Sequence, residues 1–131
     1  MKPQELLFAP THEWIHVEKD GKPPVGTVGI SAFAVEQLSD LVFLELPEVG
    51  RQVEAGESLG EIESVKSVSD IYSPVSGEVI EVNSELPDKL ETLQEDAFGA
   101  GWIVKLRVSN ESDLDKLLDY AAYQKQCEEA G

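Results

Sequence analysis

Lys66 stands in the stretch whose residue types and spacing could do chemistry. It closes Glu63-Ser64-Val65-Lys66 and is followed by Ser67-Val68-Ser69-Asp70, with Pro74 and Gly77 just beyond. Ahead of it, Gly50, Val53, Gly56 and Leu59 fall at three-residue intervals. Both flanks are rich in Val and Ile and broken by Gly and Pro, the pattern of short strands and turns. Lys66 lies midway, so a hairpin here puts it at the tip with its ammonium in water. No Asn-Gly or Asp-Gly marks that turn. On composition alone Lys66 is a solvated strand lysine, since a lone lysine between valines specifies no chemistry.

A second string, His12-Glu13-Trp14-Ile15-His16, matches the H-E-x-x-H pattern of zinc hydrolases. That chemistry needs a helix, because both imidazoles must meet one metal while the Glu activates water. Here Trp14 and Ile15 are strand formers, Pro10 precedes them, and Gly21-Lys22-Pro23-Pro24 follows closely. The chain has two histidines, so a third ligand would have to be a carboxylate. The zinc reading is therefore set aside, no metal is expected, and His16 is expected on a strand surface.

The 131 residues suffice for one domain with a modest core. With 26 acidic and 10 basic side chains the formal net charge is −16. Such a chain repels phosphate, which disfavours nucleic acid and anionic membrane as partners. The charge suits solubility and docking to basic protein surfaces equally well. Cys127 is the single cysteine, so no internal disulfide can form and a reducing compartment is expected. Glu128 and Glu129 disfavour its thiolate. Any redox sulfur must then come from a cofactor. No apolar run approaches a membrane span, and neither a signal peptide nor an Arg-rich transit segment is seen at the N-terminus; a cytoplasmic protein is expected.

The elements that must position these residues follow from pattern. Residues 11–18 alternate as a strand, with Trp14 on the face of His12 and His16 and Glu13 on the face of Ile15 and Val17. Residues 20–24 read as a turn and stiff link, and 27–30 as a strand. Ser31 reads as the N-cap of a short helix from Ala32 to Leu38. The most apolar run, 40–47, is stopped by Pro47 and reads as a buried strand. Pro87 suits a first helical position, and 102–108 alternates as a strand. From Ser112, acting as cap, Leu114, Leu117, Leu118 and Ala121 suggest one amphipathic helix, with Asp113 and Asp115 favouring its positive end.

The spacing Gly50-x-x-Val53-x-x-Gly56-x-x-Leu59, Glu63-Ser64-x-Lys66 and Ser73-Pro74-x-x-Gly77-x-Val79 resembles the swinging-arm module of lipoyl domains. Biotinyl domains share the layout but usually carry Ala-Met-Lys-Met, where this chain has Ser64-Val65-Lys66-Ser67. Glu63-Ser64-Val65-Lys66, Ala9-Pro10-Thr11-His12-Glu13-Trp14, Val42-Phe43-Leu44-Glu45-Leu46-Pro47 and Gly101-Trp102-Ile103 resemble the H-protein family of the glycine cleavage system in particular. The likeness runs from Leu7 to Glu128.

The resemblance implies lipoic acid in amide linkage to Lys66, with Glu63 and Gly77 as marks for the lipoate ligase or transferase. It implies a non-catalytic shuttle in glycine catabolism and one-carbon metabolism. Such a carrier takes an aminomethyl group from the glycine-decarboxylating P protein, which uses pyridoxal phosphate, and presents it to the T protein for transfer to tetrahydrofolate. The L protein, dihydrolipoamide dehydrogenase, then reoxidises the arm. Thr11, Glu13 and Asp70 would form an anionic cleft for the loaded arm. A related lipoate-relay protein, handing lipoyl groups to other enzymes, shares Lys66 and stays open. Gln37 stands where many family members have histidine, and Ser39 where glycine is frequent.

The expected fold is mainly β: a lipoyl-type sandwich or flattened barrel of two small antiparallel sheets, a lysine hairpin, short helices and a C-terminal α-helix. One monomeric domain is expected over 1–131, its lipoyl module at about 25–108 and the C-terminal helix at about 112–127.

Overall fold

A computed structural model describes residues 3–18, 24–38 and 40–130. The turn expected at 20–24 lies, apart from Pro24, outside the described residues, as does Ser39. In chain order the elements are β1 (Leu7–Phe8), β2 (Glu13–Glu18), β3 (Val25–Ile30), α1 (Ala32–Leu38), β4 (Leu41–Glu45), β5 (Gln52–Val53), β6 (Ser58–Ser64), β7 (Val68–Tyr72), β8 (Gly77–Val82), α2 (Glu91–Glu95), β9 (Val104–Val108) and α3 (Tyr120–Ala130). Among the described residues they make a six-stranded sheet, β1-β2-β3-β9-β8-β5, and a three-stranded sheet, β4-β6-β7. All the pairings are antiparallel.

Ile15, Val28, Leu44, Ile62, Ile71, Val79 and Leu106 meet in the main core, to which both sheets contribute. A second cluster of Leu6, Phe8, Trp14 and Tyr123 joins α3 to the six-stranded sheet. At the start of β2 the sheet is therefore covered on both faces, and Glu13, Trp14 and Ile15 are all buried. Trp14 fits because its partner across the strands is Gly29, where a Cβ would sit 2.6 Å from the indole ring. Its Nε1–H donates to the carbonyls of Ile30 and Ala97 at 3.0 Å each.

α1 spans the residues expected, and the Ser31 hydroxyl caps it by accepting from Ala34 N–H at 3.2 Å. The apolar run at 40–47 is a strand, but only Leu44 in β4 is buried. β4 is an edge strand, and a register shift between Leu41 and Phe43 accompanies the exposure of Val42 and Phe43.

The C-terminal helix also differs from expectation. Glu111–Lys116 is a 3₁₀ helix, Leu117 is extended, and α3 begins only at Tyr120. Leu118 leaves the helical path to pair with Phe8 through two backbone bonds of 2.7 and 2.8 Å. Asn110, not Ser112, caps the 3₁₀ turn, and Asp119 accepts from Ala122 N–H at 2.8 Å to cap α3. Asp113 is buried and accepts from Ser76 N–H at 2.9 Å, so it anchors a loop.

Gly77 pairs with Val53 on one side and Val108 on the other. A Cβ there would lie 2.4 Å from the Arg107 carbonyl oxygen, which is backbone and cannot rotate away. Gly77→Ala is expected to destabilise the fold by about 1–3 kcal/mol, the range for overpacking, and to lower the thermal midpoint by several degrees. A melting curve identical to wild type would show that β8 and β9 can part without cost.

Candidate functional site

β6 and β7 pair from Ser58↔Tyr72 to Glu63↔Val68 and leave Val65 and Lys66 in the connection. The closing pair is incomplete: Ser64 N–H donates to the Ser67 carbonyl at 2.8 Å, and the Ser64 hydroxyl takes over the remaining acceptor duty. It accepts from Lys66 N–H at 3.3 Å and from Ser67 N–H at 3.1 Å. A serine side chain thus stands in for a turn carbonyl, which explains how the connection forms without Asn-Gly. Val65 N–H is held by the Asp40 carbonyl at 2.9 Å. Ser64 is buried while Val65, Lys66 and Ser67 are exposed. The ion pairs among the described residues join Lys105 to Glu81 and Arg107 to Glu78, which leaves Lys66 without a carboxylate partner.

Glu63 lies in β6 between Phe43 and Val68, one strand position before the clip. Gly77 is not brought to this tip. It sits in β8 of the other sheet, reached from Lys66 only by running the length of β7.

Thr11, Glu13 and Asp70 line one groove of about 160 Å³, together with Gln37, Phe33 and Ile62. Thr11 and Glu13 enter the groove from the β1–β2 side and Asp70 from β7, an edge strand of the three-stranded sheet. Glu13 is only 2% exposed. Thr11 Oγ1–H donates to its Oε1, and Tyr72 N–H donates to its Oε2 at 3.2 Å. Burial penalises the charged form more than these bonds favour it, and the carboxyl is pushed up to about 7. Asp70 is exposed, with Tyr72 Oη–H 3.5 Å from its Oδ2. The expected anionic cleft is thus asymmetric: one solvated carboxylate, and one buried carboxyl balanced between its two protonation states near neutrality.

Sequence reasoning missed the role of Ser64, although a serine hydroxyl can close a turn by accepting the amide two residues on. It also missed His12 and Phe33 as groove residues. His12 immediately precedes β2 and His16 lies within it, so the two histidines do not share a helix face.

Two small antiparallel sheets, with an exposed lysine on the connection between neighbouring strands, make a lipoyl-type β-domain. The family model for the glycine cleavage H-protein matches residues 6–130. A glycine cleavage system H protein of Rhodopirellula baltica is 58% identical over 130 residues, covering 98% of this chain and 97% of that one. Another, of Symbiobacterium thermophilum, is 51% identical over 121 residues, covering 92% and 91%. The crystal structure of a glycine cleavage system H protein from Mycobacterium marinum superposes with a TM-score of 0.85 at 41% identity, covering 95% of this chain and 98% of that one. The chain belongs to the glycine cleavage H-protein family.

Two outcomes follow from this geometry. Ser64→Ala removes the acceptor for two amides, worth about 1 kcal/mol, so hydrogen exchange at Lys66 and Ser67 should quicken roughly fivefold; unchanged exchange would mean the hydroxyl does not hold the turn. The second concerns Glu13. Below its ordinary value near 4.5 both folded and unfolded chains hold the proton, but between there and about 7 only the folded chain does. Stability therefore falls as pH rises through that window and is level above it. In urea titrations the advantage of Glu13→Gln over wild type should grow by on the order of 3 kcal/mol from pH 4 to pH 8, and a difference flat with pH would contradict the carboxyl's burial.

Proposed function

We propose that this chain is the lipoyl carrier of a glycine cleavage system, with the ε-amine of Lys66 as the acylated nitrogen. The observation that carries the reading is an exposed lysine, without an ion-pair partner among the described residues, on a connection clipped by Ser64, in a chain of this family. The residues fit the group: the amine is exposed to a ligase or transferase, and among the described residues no carboxylate is ion-paired with it. When bound, a lipoyl group supplies a disulfide that takes up a one-carbon amine unit with two electrons and passes each on. The partners this requires are the decarboxylating P protein, the T protein that transfers the carbon to tetrahydrofolate, the reoxidising L protein, and the lipoylating enzyme.

The chain's own residues bind and orient; none is asked to break a bond. Asp70 lies in β7, four residues beyond Lys66 in sequence, so the groove wall and the lysine turn belong to the same hairpin. A primary ammonium arriving there would draw Glu13 to its charged form, with the Thr11 hydroxyl and Tyr72 amide already placed on its oxygens. Asp70 supplies a second carboxylate at the groove wall. Glu63, beside the clip, is the side chain we assign to recognition by the lipoylating enzyme. Gly77 serves lipoylation through the fold, by letting β8 approach β9 and so keeping the sheets that carry the hairpin in place.

Intact mass of the full chain, made with lipoate and ligase available, should show one lipoyl increment mapping to the peptide that holds Lys66. It should vanish in Lys66→Ala and equally in Lys66→Arg, because guanidinium is not a replacement nucleophile. Modification at another lysine would overturn the assignment.

A further inference from the structure

The turn that delivers Glu13 to the groove is built in an unfavourable conformation. It joins β1 to β2, closed by Ala9 N–H to the Glu13 carbonyl at 2.8 Å and His12 N–H to the Ala9 carbonyl at 2.9 Å. His12 sits at φ 83°, the one non-glycine residue in the left-handed region among the described residues. Glycine reaches this conformation freely, whereas a residue with a Cβ gives up roughly 1–2 kcal/mol there. A histidine kept in that place needs something to hold its side chain.

That something is α3. His12 Nδ1 lies 2.6 Å from the Tyr123 hydroxyl, which lies 2.6 Å from Ser31 Oγ. Tyr123 is itself immobilised: it is 2% exposed and stacked on Phe8 with ring centroids 4.4 Å apart and planes 5° from parallel. Burial lowers the proton affinity of the imidazole and raises that of the phenol, so both are neutral at physiological pH and share hydrogen bonds without charge. The His12 ring also rests on Phe33 at 5.2 Å, and Phe33 lines the groove. On either side of His12 in sequence stand Thr11 and Glu13, whose side chains bond each other in that groove.

We propose that Tyr123 is a positioning residue: its hydroxyl pins His12 in the left-handed turn and thereby fixes Thr11 and Glu13 in the groove. The proposal deepens the carrier reading and rests on it only for what the groove is used for. The polar groups that bear on Glu13 are the Thr11 hydroxyl and Tyr72 amide, with Asp70 across the groove. Those that bear on Tyr123 are Ser31, His12, Cys127 and, by charge, Glu13 itself.

The test is a titration of the Glu13 side-chain carboxyl by carbon-detected nuclear magnetic resonance in the full, unmodified chain. Tyr123→Phe should let water reach Glu13 and bring its midpoint down by about one pH unit or more, toward the ordinary carboxylate range. His12→Gly keeps the turn's preferred backbone but deletes the imidazole, and should produce a drop of the same size. The combined variant should move no further than the larger single one, since both changes break the same His12–Tyr123 bond. Lipoylation of Lys66 should proceed at the wild-type rate in Tyr123→Phe, which separates this contact from the carrier reading. A wild-type midpoint in Tyr123→Phe overturns the proposal, and so do shifts that add in the combined variant. If Tyr123→Phe does not fold, His12→Gly decides alone, and a wild-type midpoint there overturns it.

Discussion

One carboxyl withdrawn from water holds the arrangement together. Glu13 belongs to β2 of the six-stranded sheet, and the N–H it receives comes from Tyr72, the last residue of β7 in the three-stranded sheet. The side chain therefore bridges the two sheets at the groove. A buried carboxylate carries a desolvation penalty of several kcal/mol, and two hydrogen bonds offset only part of it. Such local destabilisation is expected where a group is kept for what it binds rather than for what it stabilises.

The three-stranded sheet shows the same division of labour on a larger scale. Its inner face supplies Leu44, Ile62 and Ile71 to the core. Across its outer face the register sets Phe43, Glu63 and Val68 in one row and Glu45, Glu61 and Asp70 in the next. The first row is mostly apolar and lies beside the lysine turn; the second is wholly acidic. β4 and β7 are both edges, and charged side chains on edge strands discourage unwanted pairing with other chains. The net charge of −16 thus has a local form as well as a global one.

Much of the fold was legible because its signals are local. Ser31 and the apolar positions after it define α1 to the residue, and the period-two runs locate β2 and β9. Local propensity supports the lysine hairpin only weakly, and its placement rests on the likeness of the glycine and valine spacing to lipoyl domains. What escaped was non-local. Alternation marks one buried face of a strand, but β2 begins where α3 covers the second face, so neither the depth of Trp14 nor the burial of Glu13 could be read from period alone. The leucines at 114, 117 and 118 have helical spacing, yet a 3₁₀ turn followed by a bridge to Phe8 uses the same spacing. The apolar run at 40–47 was read as buried because hydrophobicity does not reveal whether a strand ends up at an edge. Within the site, the types and numbers of Thr11, Glu13 and Asp70 were available from family likeness. Their shared groove and the altered proton affinity of Glu13 required the third dimension.

The order in which the chain can acquire these parts is written in its connectivity. β6 and β7 are neighbours in sequence, so the lysine turn closes a short loop and costs little chain entropy. β3, by contrast, has β9 as its far neighbour, and its register joins Val25 to Arg107. The turn at His12 waits longer still, for Tyr123 near the end of the chain. A ribosome making this protein therefore releases the parts of the lysine hairpin well before Tyr123 can meet His12. An enzyme that reads the hairpin alone can meet its substrate early, while the bond between the His12 turn and α3 forms later.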